Sequence, residues 1–286
     1  MSLLRVLVAA LAMALVVSAA APAAPLRKPR STVVAKRTNG AAAVDGARYA
    51  AWGGGGGRVA VLDDRNGSRQ LFDLGRKCDS VLPLSGSGAH FLVNCGTTGP
   101  AGVESHQYIL DASTGTADAL DQGGYSLLGR QWLQGRGEDS FGKYVVYTNW
   151  HTGETITEST GRTSVPYDLD SANLDQLGPP AASFVVGGPH VLERIGRTIH
   201  LVGSAGDQTI YKCAHACAPL SVNSGLALWS DGPTILYGYA AATGRQYRWR
   251  VPEAASPRGS TGRRIYYLMP LEFDPQFFAL KSFRWP

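Results

Sequence analysis

The chain has 286 residues, of which 17% are charged and 35 are glycine, with a formal net charge of +5. That charge is too small to direct the chain to nucleic acid, which calls for a strongly basic patch or stripe. Trp and Tyr together number 18, and glycine-containing turns separate aromatic and β-branched runs, a pattern of all-β proteins.

In chain order, Met1 to Arg5 carries one positive charge, Val6 to Val17 is an unbroken apolar run, and Ser18 to Ala23 are small residues with one proline. A charged start, an apolar stretch and an A-x-A-like end make residues 1–23 a secretory signal peptide, cut after Ala20 or Ala23. The alternative is an uncleaved anchor, because Val6 to Ala24 is long enough to cross a bilayer. The mature chain is expected to be exported, either secreted or held at the cell envelope, with no membrane span after cleavage. Residues 24–30 read as a short linker and 31–286 as a single domain. Of the 27 basic residues 21 are Arg, a bias of GC-rich coding and of an actinobacterium-like source.

The rest of the chain repeats itself, and repeats decide the fold before motifs do. "VDGARYAAWGGGGGRVAVLDDRNGSRQLF" (44–72) matches "NSGLALWSDGPTILYGYAAATGRQYRW" (223–249). Each holds a glycine, a strand ending in Trp (Trp52, Trp229), a glycine turn, a second strand, a turn ending in Gly67 or Gly244, and a strand with aromatic residues. "SGAHFLVNCG" (87–96) and "SFGKYVVYTN" (140–149) repeat the first half; "YILDASTGTADAL" (108–120) and "GRTIHLVGSAGDQTIYKC" (196–213) repeat the second. The leading glycines are Gly46, Gly88, Gly142, Gly188, Gly225 and Gly262. Their spacing suits four short strands per unit, the period of a propeller blade. Six blades are expected, the last completed by the strand at Ser31–Arg37 unless that strand opens the first blade. Gly53–Gly57 falls where the other repeat has "SDGP" and reads as a hairpin turn. It fits neither phosphate-binding glycine pattern, since Arg58 stands where the last glycine is needed and no helix follows.

At these residues the chain resembles TolB-like six-bladed β-propellers, whose WD40-like repeats carry a segment close to S-P-D-G-x-x-[VI]-[VA]-[YW]. The matching stretches are Val44-Asp45-Gly46 leading to Trp52, Ser140-Phe141-Gly142 leading to Tyr147, and Asn223-Ser224-Gly225 leading to Trp229. The resemblance implies exported scaffolds and binding surfaces. It carries over no catalytic residue.

Four cysteines in an exported chain read as two disulfides. Cys78 and Cys95 lie symmetrically about the "SGSG" turn at Ser85–Gly88, so neighbouring antiparallel strands would bring them together; Cys213 and Cys217 would close a tight loop between blades. A metal site of Cys213, His215 and Cys217 is the rival reading, but it lacks a second ligand pair. No nucleophile elbow, H-E-x-x-H or C-x-x-C is present. "DDRNG" (63–67) reads as a turn rather than a calcium loop, because Arg65 occupies a ligand position. In "RQYRWRV" (245–251), Tyr247 and Trp249 face one way and Arg248 and Arg250 the other. This suits an outer strand whose charges discourage pairing with other chains.

Two functions are compatible with this reading. The first is a non-catalytic secreted propeller that acts as a binding or scaffold module for a protein or cell-wall component. It would be monomeric, with no cofactor, no metal and no catalytic residues. The second is a propeller hydrolase, lactonase or glycan-active, with a metal in the axial channel; Asp79 is the clear acidic candidate near an innermost strand. For the first, the longest loops mark the working face. Gly96–Ser105 and Asn149–Ser164 read as insertions between second and third strands of neighbouring blades, and Trp150 with His151 opens the longer one. Trp150 and His151 are therefore the expected ligand-binding residues.

Overall fold

The computed structural model describes residues 24–285 except 55, 76–77, 79, 100–101, 122, 140–141, 160–182, 188–189, 204–205 and 224–225. The first strands are β1 (Leu26–Arg27) and β2 (Thr32–Thr38). Blade 1 follows as β3 (Ala42–Val44), β4 (Tyr49–Gly53), β5 (Arg58–Asp63) and β6 (Arg69–Asp73). Blade 2 is β7 (Ser80–Ser87), β8 (His90–Gly99), β9 (Gly102–Asp111) and β10 (Thr116–Ala119). Blade 3 is β11 (Tyr125–Leu128), β12 (Trp132–Asp139), β13 (Gly142–Asn149) and β14 (Thr155–Ser159). Blade 4 is β15 (Ser183–Gly187), β16 (His190–Ile195), β17 (Thr198–Gly203) and β18 (Gly206–Lys212). Blade 5 is β19 (Cys217–Asn223), β20 (Leu226–Asp231), β21 (Ile235–Ala240) and β22 (Arg245–Arg250). Blade 6 contains β23 (Ser256–Ser260), β24 (Arg264–Leu271) and β25 (Asp274–Arg284), and takes β2 as its outer strand.

These six antiparallel sheets stand in a ring as a six-bladed β-propeller, with no helix among the described residues. The strand at Ser31–Arg37 thus closes the ring: Thr32 pairs with Ser282 and Val33 with Lys281. Residues 24–30, read as a linker, carry β1, which runs parallel to β22 as a fifth strand on blade 5 and pairs Leu26 with Arg248. The outer edge of "RQYRWRV" is thereby covered along these two residues by the chain's own N-terminal segment.

Side chains alternate between the two faces of each blade, and each face packs on a neighbouring blade. In blade 1, Val59, Val61 and Phe72 meet Val81, Phe91 and Leu110 of blade 2. The other face, with Ala50, Trp52 and Leu62, meets Tyr266, Leu268 and Leu280 of blade 6. Trp249 of β22 packs with Phe283, Tyr267 and Trp285 across the seam between blades 5 and 6.

Packing requires glycine at both ends of the run. A Cβ on Gly53 would lie 2.2 Å from the Val81 carbonyl oxygen, and one on Gly57 would lie 2.6 Å from that of Gly75. The hairpin therefore presses its backbone against the connection to blade 2, where a side chain cannot fit. It is a turn, with the Gly54 N–H donating to the Arg58 carbonyl at 2.8 Å.

Of the six leading glycines, Gly46, Gly88 and Gly262 lie in turns after a first strand. Gly188 and Gly225 lie outside the described residues. Gly142 starts β13, a third strand, so blade 3 begins one strand earlier than its repeat suggests, and Gly129 holds the equivalent turn. The β12–β13 hairpin repeats the glycine-then-aromatic pattern of a blade start, which is why local pattern alone misplaces it.

Both disulfides are formed: Cys78–Cys95 with Cα atoms 5.3 Å apart, and Cys213–Cys217 with 5.9 Å. Each staples a connection between blades, which contributes mainly by restricting the unfolded chain. With both thiols bonded, Cys213 and Cys217 are not free to ligate a metal. Asp231 holds the second connection. Its carboxylate accepts hydrogen bonds from the Ala214 N–H at 2.9 Å, the His215 N–H at 2.6 Å and the Tyr211 hydroxyl at 2.8 Å. Burial pushes the Asp231 carboxyl up, but these three donors together outweigh it and hold the group below the usual carboxylate range.

A depressed folded-state value means that this stabilisation is present above the unfolded carboxylate pKa and is lost as pH falls through the folded one. Asp231→Asn is expected to cost about 1–2 kcal/mol at neutral pH. It should also flatten the acid side of the melting-temperature profile below about pH 4. Thermal melts from pH 3 to 7 on both proteins check this; parallel profiles would contradict it.

Candidate functional site

In each blade the turns after the first and third strands emerge on one side of the disc, here the upper face, and the remaining connections on the lower face. Both disulfides and the glycine-run hairpin are on the lower face. Trp150 and His151 are on the upper face, because β14 starts at Thr155 and Asn149–Glu154 is a tight turn between third and fourth strands. The Gly153 N–H donates to the Asn149 carbonyl at 2.7 Å, and the Asn149 side chain accepts from the N–H groups of His151 and Thr152. The expected insertion Asn149–Ser164 is therefore a short turn followed by β14, with residues 160–164 outside the described ones. Gly96–Ser105 is no loose loop either. It lengthens β8 and β9, which stay paired out to Gly99 and Gly102 on the lower side of the disc. The two segments thus lie on opposite faces and do not form one patch.

At the Trp150 turn the structure builds a shallow site. The Trp150 indole N–H donates to the Gly129 carbonyl at 3.2 Å, fixing the ring edge. Its ring lies 3.7 Å from the His151 ring and 5.0 Å from that of His90, centroid to centroid. His151 is exposed, with Nε2 3.1 Å from the Arg130 carbonyl. His90 faces Asp111 at 3.7 Å. Burial raises the Asp111 carboxyl, yet the hydroxyl and N–H of Ser113, with Thr114 and His90, bring it below its ordinary range. Beside Trp150, a cavity of about 270 Å³ between blades 2 and 3 is walled by Leu120, Asp121, Tyr125, Thr148 and Asn149. The Tyr125 hydroxyl donates to Thr148 Oγ1 at 2.9 Å, so aromatic and hydrogen-bonding surfaces meet in one recess.

The axial channel differs in character. Four innermost strands carry a β-bulge near the same height: at Leu84 in β7, Ser126 in β11, Leu220 in β19 and Arg258 in β23. A bulge re-aims the extra side chain, and Leu84, Leu220 and Arg258 line a channel cavity of about 220 Å³. Asp45 stands at its upper mouth, where its Oδ1 accepts from the N–H groups of Ala47, Arg48 and Tyr49 at 2.8–2.9 Å. Its carboxylate is thus engaged in shaping its own turn, and burial raises it despite those donors. Arg258 donates to the Gly40 carbonyl at 3.0 Å, and burial lowers its guanidinium. Asp79, the acidic candidate for the channel, lies outside the described residues. No group of three metal-binding side chains is found among the described residues.

No family model and no curated protein matches the chain. Among solved structures it is similar to the β-propeller domain of the Trilobed protease from Pyrococcus furiosus. That match has 9% identity and a TM-score of 0.54, over 87% of this chain and 94% of that one. It is also similar to the AfRom2 CNH domain, with 9% identity and a TM-score of 0.40, over 90% and 100% of the two chains. At such identity the first likeness shows the propeller fold alone.

Trp150 and His151 are separable by stability. Trp150 is half-buried against Leu92, Leu133 and their neighbours, so Trp150→Ala is expected to cost about 2 kcal/mol. His151→Ala, at an exposed position, should stay within about 0.5 kcal/mol of the parent. Chemical denaturation of the two variants measures both; equal losses would show that His151 is structural as well.

Proposed function

We propose that this chain is an exported, non-catalytic propeller that binds a protein or cell-envelope component through its upper face, with Trp150 and His151 at the contact. The observation that carries the reading is the recess beside Trp150. A hydrogen-bonded indole, flanked by His151 and His90, adjoins a cavity that also presents a tyrosine, a carboxylate and two amide or hydroxyl groups. Tryptophan held rigidly at a partly exposed position is a frequent anchor of binding surfaces. The leader-like residues 1–23, the two disulfides and the TolB-like blade pattern support the exported setting. The arginine-rich composition supports the actinobacterium-like source.

The test uses a variant that keeps the fold. Trp150→Phe combined with His151→Ala retains an aromatic ring on the core and removes both the indole N–H and the imidazole. Immobilised parent should capture a component from native envelope extract that the double variant loses at least tenfold, with the melting temperatures within a few degrees. Unchanged capture would sink the assignment of this face. N-terminal sequencing of the exported chain should begin after residue 20 or 23; a chain that retains residues 1–23 would contradict secretion in cleaved form.

A further inference from the structure

Where the ring closes, two grooves meet along the seam of blades 5, 6 and 1, on the side of the upper face. One, of about 720 Å³, lies between β2, the β5–β6 turn and the β23–β24 turn. The other, of about 430 Å³, lies under the segment 27–30 that joins β1 to β2. Thr32, Arg264, Arg284 and Trp285 line both, so the two form one continuous path. Their combined lining holds eight Lys or Arg side chains and a single carboxylate, Asp64, a local excess of seven positive charges. The whole chain carries a net charge of only +5. The excess here is therefore concentrated, not a sample of the average surface.

These cations divide into two sets. Four are held by the walls: Arg264 Nε pairs with Asp64 at 2.9 Å, Arg69 donates to the Val34 carbonyl at 2.7 Å with its guanidinium over Trp52, Arg263 donates to the Arg65 carbonyl at 3.4 Å, and the Arg27 guanidinium lies over the Tyr247 ring. Lys28, Arg30, Arg65 and Arg284 are exposed, and their side chains make no hydrogen bond or ion pair among the described residues. Holding like charges along one groove is unfavourable until an anion arrives, and low-dielectric walls focus the field on it. Guanidinium forks grip carboxylate and phosphate oxygens in pairs. Among the apolar residues of the lining, Val33 is 56% exposed, and Trp285 is partly buried and fixed by contacts with Trp249 and Tyr247. Trp249 and Phe283 also line the groove but are buried, so Trp285 is the one partly exposed aromatic ring of the lining; it offers a flat apolar platform for the C–H face of a sugar ring, whereas a run of stacked bases calls for several.

We infer that the seam groove binds an anionic saccharide polymer, with its carboxylate or phosphate groups on Lys28, Arg30, Arg65 and Arg284 and a sugar ring against Trp285. The inference rests on the exported setting proposed above but on different residues from the Trp150 recess.

The test titrates the purified mature chain with a fluorescent oligogalacturonate, a glycerol-phosphate oligomer and a single-stranded DNA oligomer of equal charge. At least one of the first two should bind and weaken linearly in a log–log plot against salt, and the arm that binds identifies the source of the oxyanion. Arg65→Gln with Arg284→Gln should weaken that binding at least tenfold and flatten the salt slope by about one for each arginine removed, without changing the melting temperature. Arg37→Gln, which removes an ion pair with Asp274 beside the lower-face turn of blade 6, should leave it unaltered. The Trp150→Phe/His151→Ala variant should also bind these oligomers as the parent does, which separates failure here from failure of the upper-face proposal. DNA binding as tight as the saccharide, no binding by either saccharide, or unchanged binding by the double arginine variant would overturn the inference.

Discussion

Everything in this molecule depends on the pairing of β2 with β25. A blade has two apolar faces and can cover them only with neighbours, so a row of blades leaves two open ends until the ring shuts. Here the shutting bond is a backbone ladder between residues near the two ends of the chain, Thr32 with Ser282 and Ala35 with Leu280. Once it forms, Tyr266, Leu268 and Leu280 can bury against Trp52 and Leu62, and blade 1 gains its second neighbour. The Gly262 N–H then donates to the Ala47 carbonyl, and Thr261 and Arg264 both reach Asp64, so the seam is locked by polar contacts as well.

The same closure creates the arginine groove. Residues 27–34, 64–69 and 262–285 are far apart in the chain and meet only because the ends of the propeller share a blade. The segment between β1 and β2 has to cross from blade 5 to blade 6 over the outside of the disc, and it leaves a trench beneath it. Both structural staples are elsewhere: Cys78–Cys95 and Cys213–Cys217 secure lower-face connections, and Asp231 caps one of them. Both disulfides thus lie on the lower face, and the upper face carries Trp150, His151 and the exposed arginines.

Much of the architecture was legible from the residues alone. Blade number and both disulfides followed from repeats, turn chemistry and cysteine placement, and ring closure by the N-terminal strand was one of the two places those signals left for it. These are local signals: a glycine in a first turn, alternation along a strand, a cysteine at each side of a hairpin. Locality is also where the reading failed. In blade 3 the β12–β13 hairpin carries the same glycine-then-aromatic pattern as a blade start, so the pattern places Gly142 one strand too early. That slip turned a tight turn after Asn149 into a long insertion on the wrong face. Likewise, Gly96–Ser105 has loop-like composition but continues β8 and β9, because backbone pairing with the opposite strand outweighs weak strand propensity.

By itself, the sequence determined the repeating unit, the residue types that fill each blade and the turns that separate strands, since these depend on neighbours within a few residues. Tertiary structure decided what the repeat cannot encode: which face each turn occupies, how the bulges at Leu84, Leu220 and Arg258 shape the channel, and which cations share a groove. Trp150 could be singled out as a residue, but its recess exists only because blade 2 stands beside blade 3. Lys28, Arg65 and Arg284 gave no signal at all. Charges more than two hundred residues apart form one site only after the backbone of β2 has bonded to β25 and brought residues 27–34 and 262–285 to a common edge.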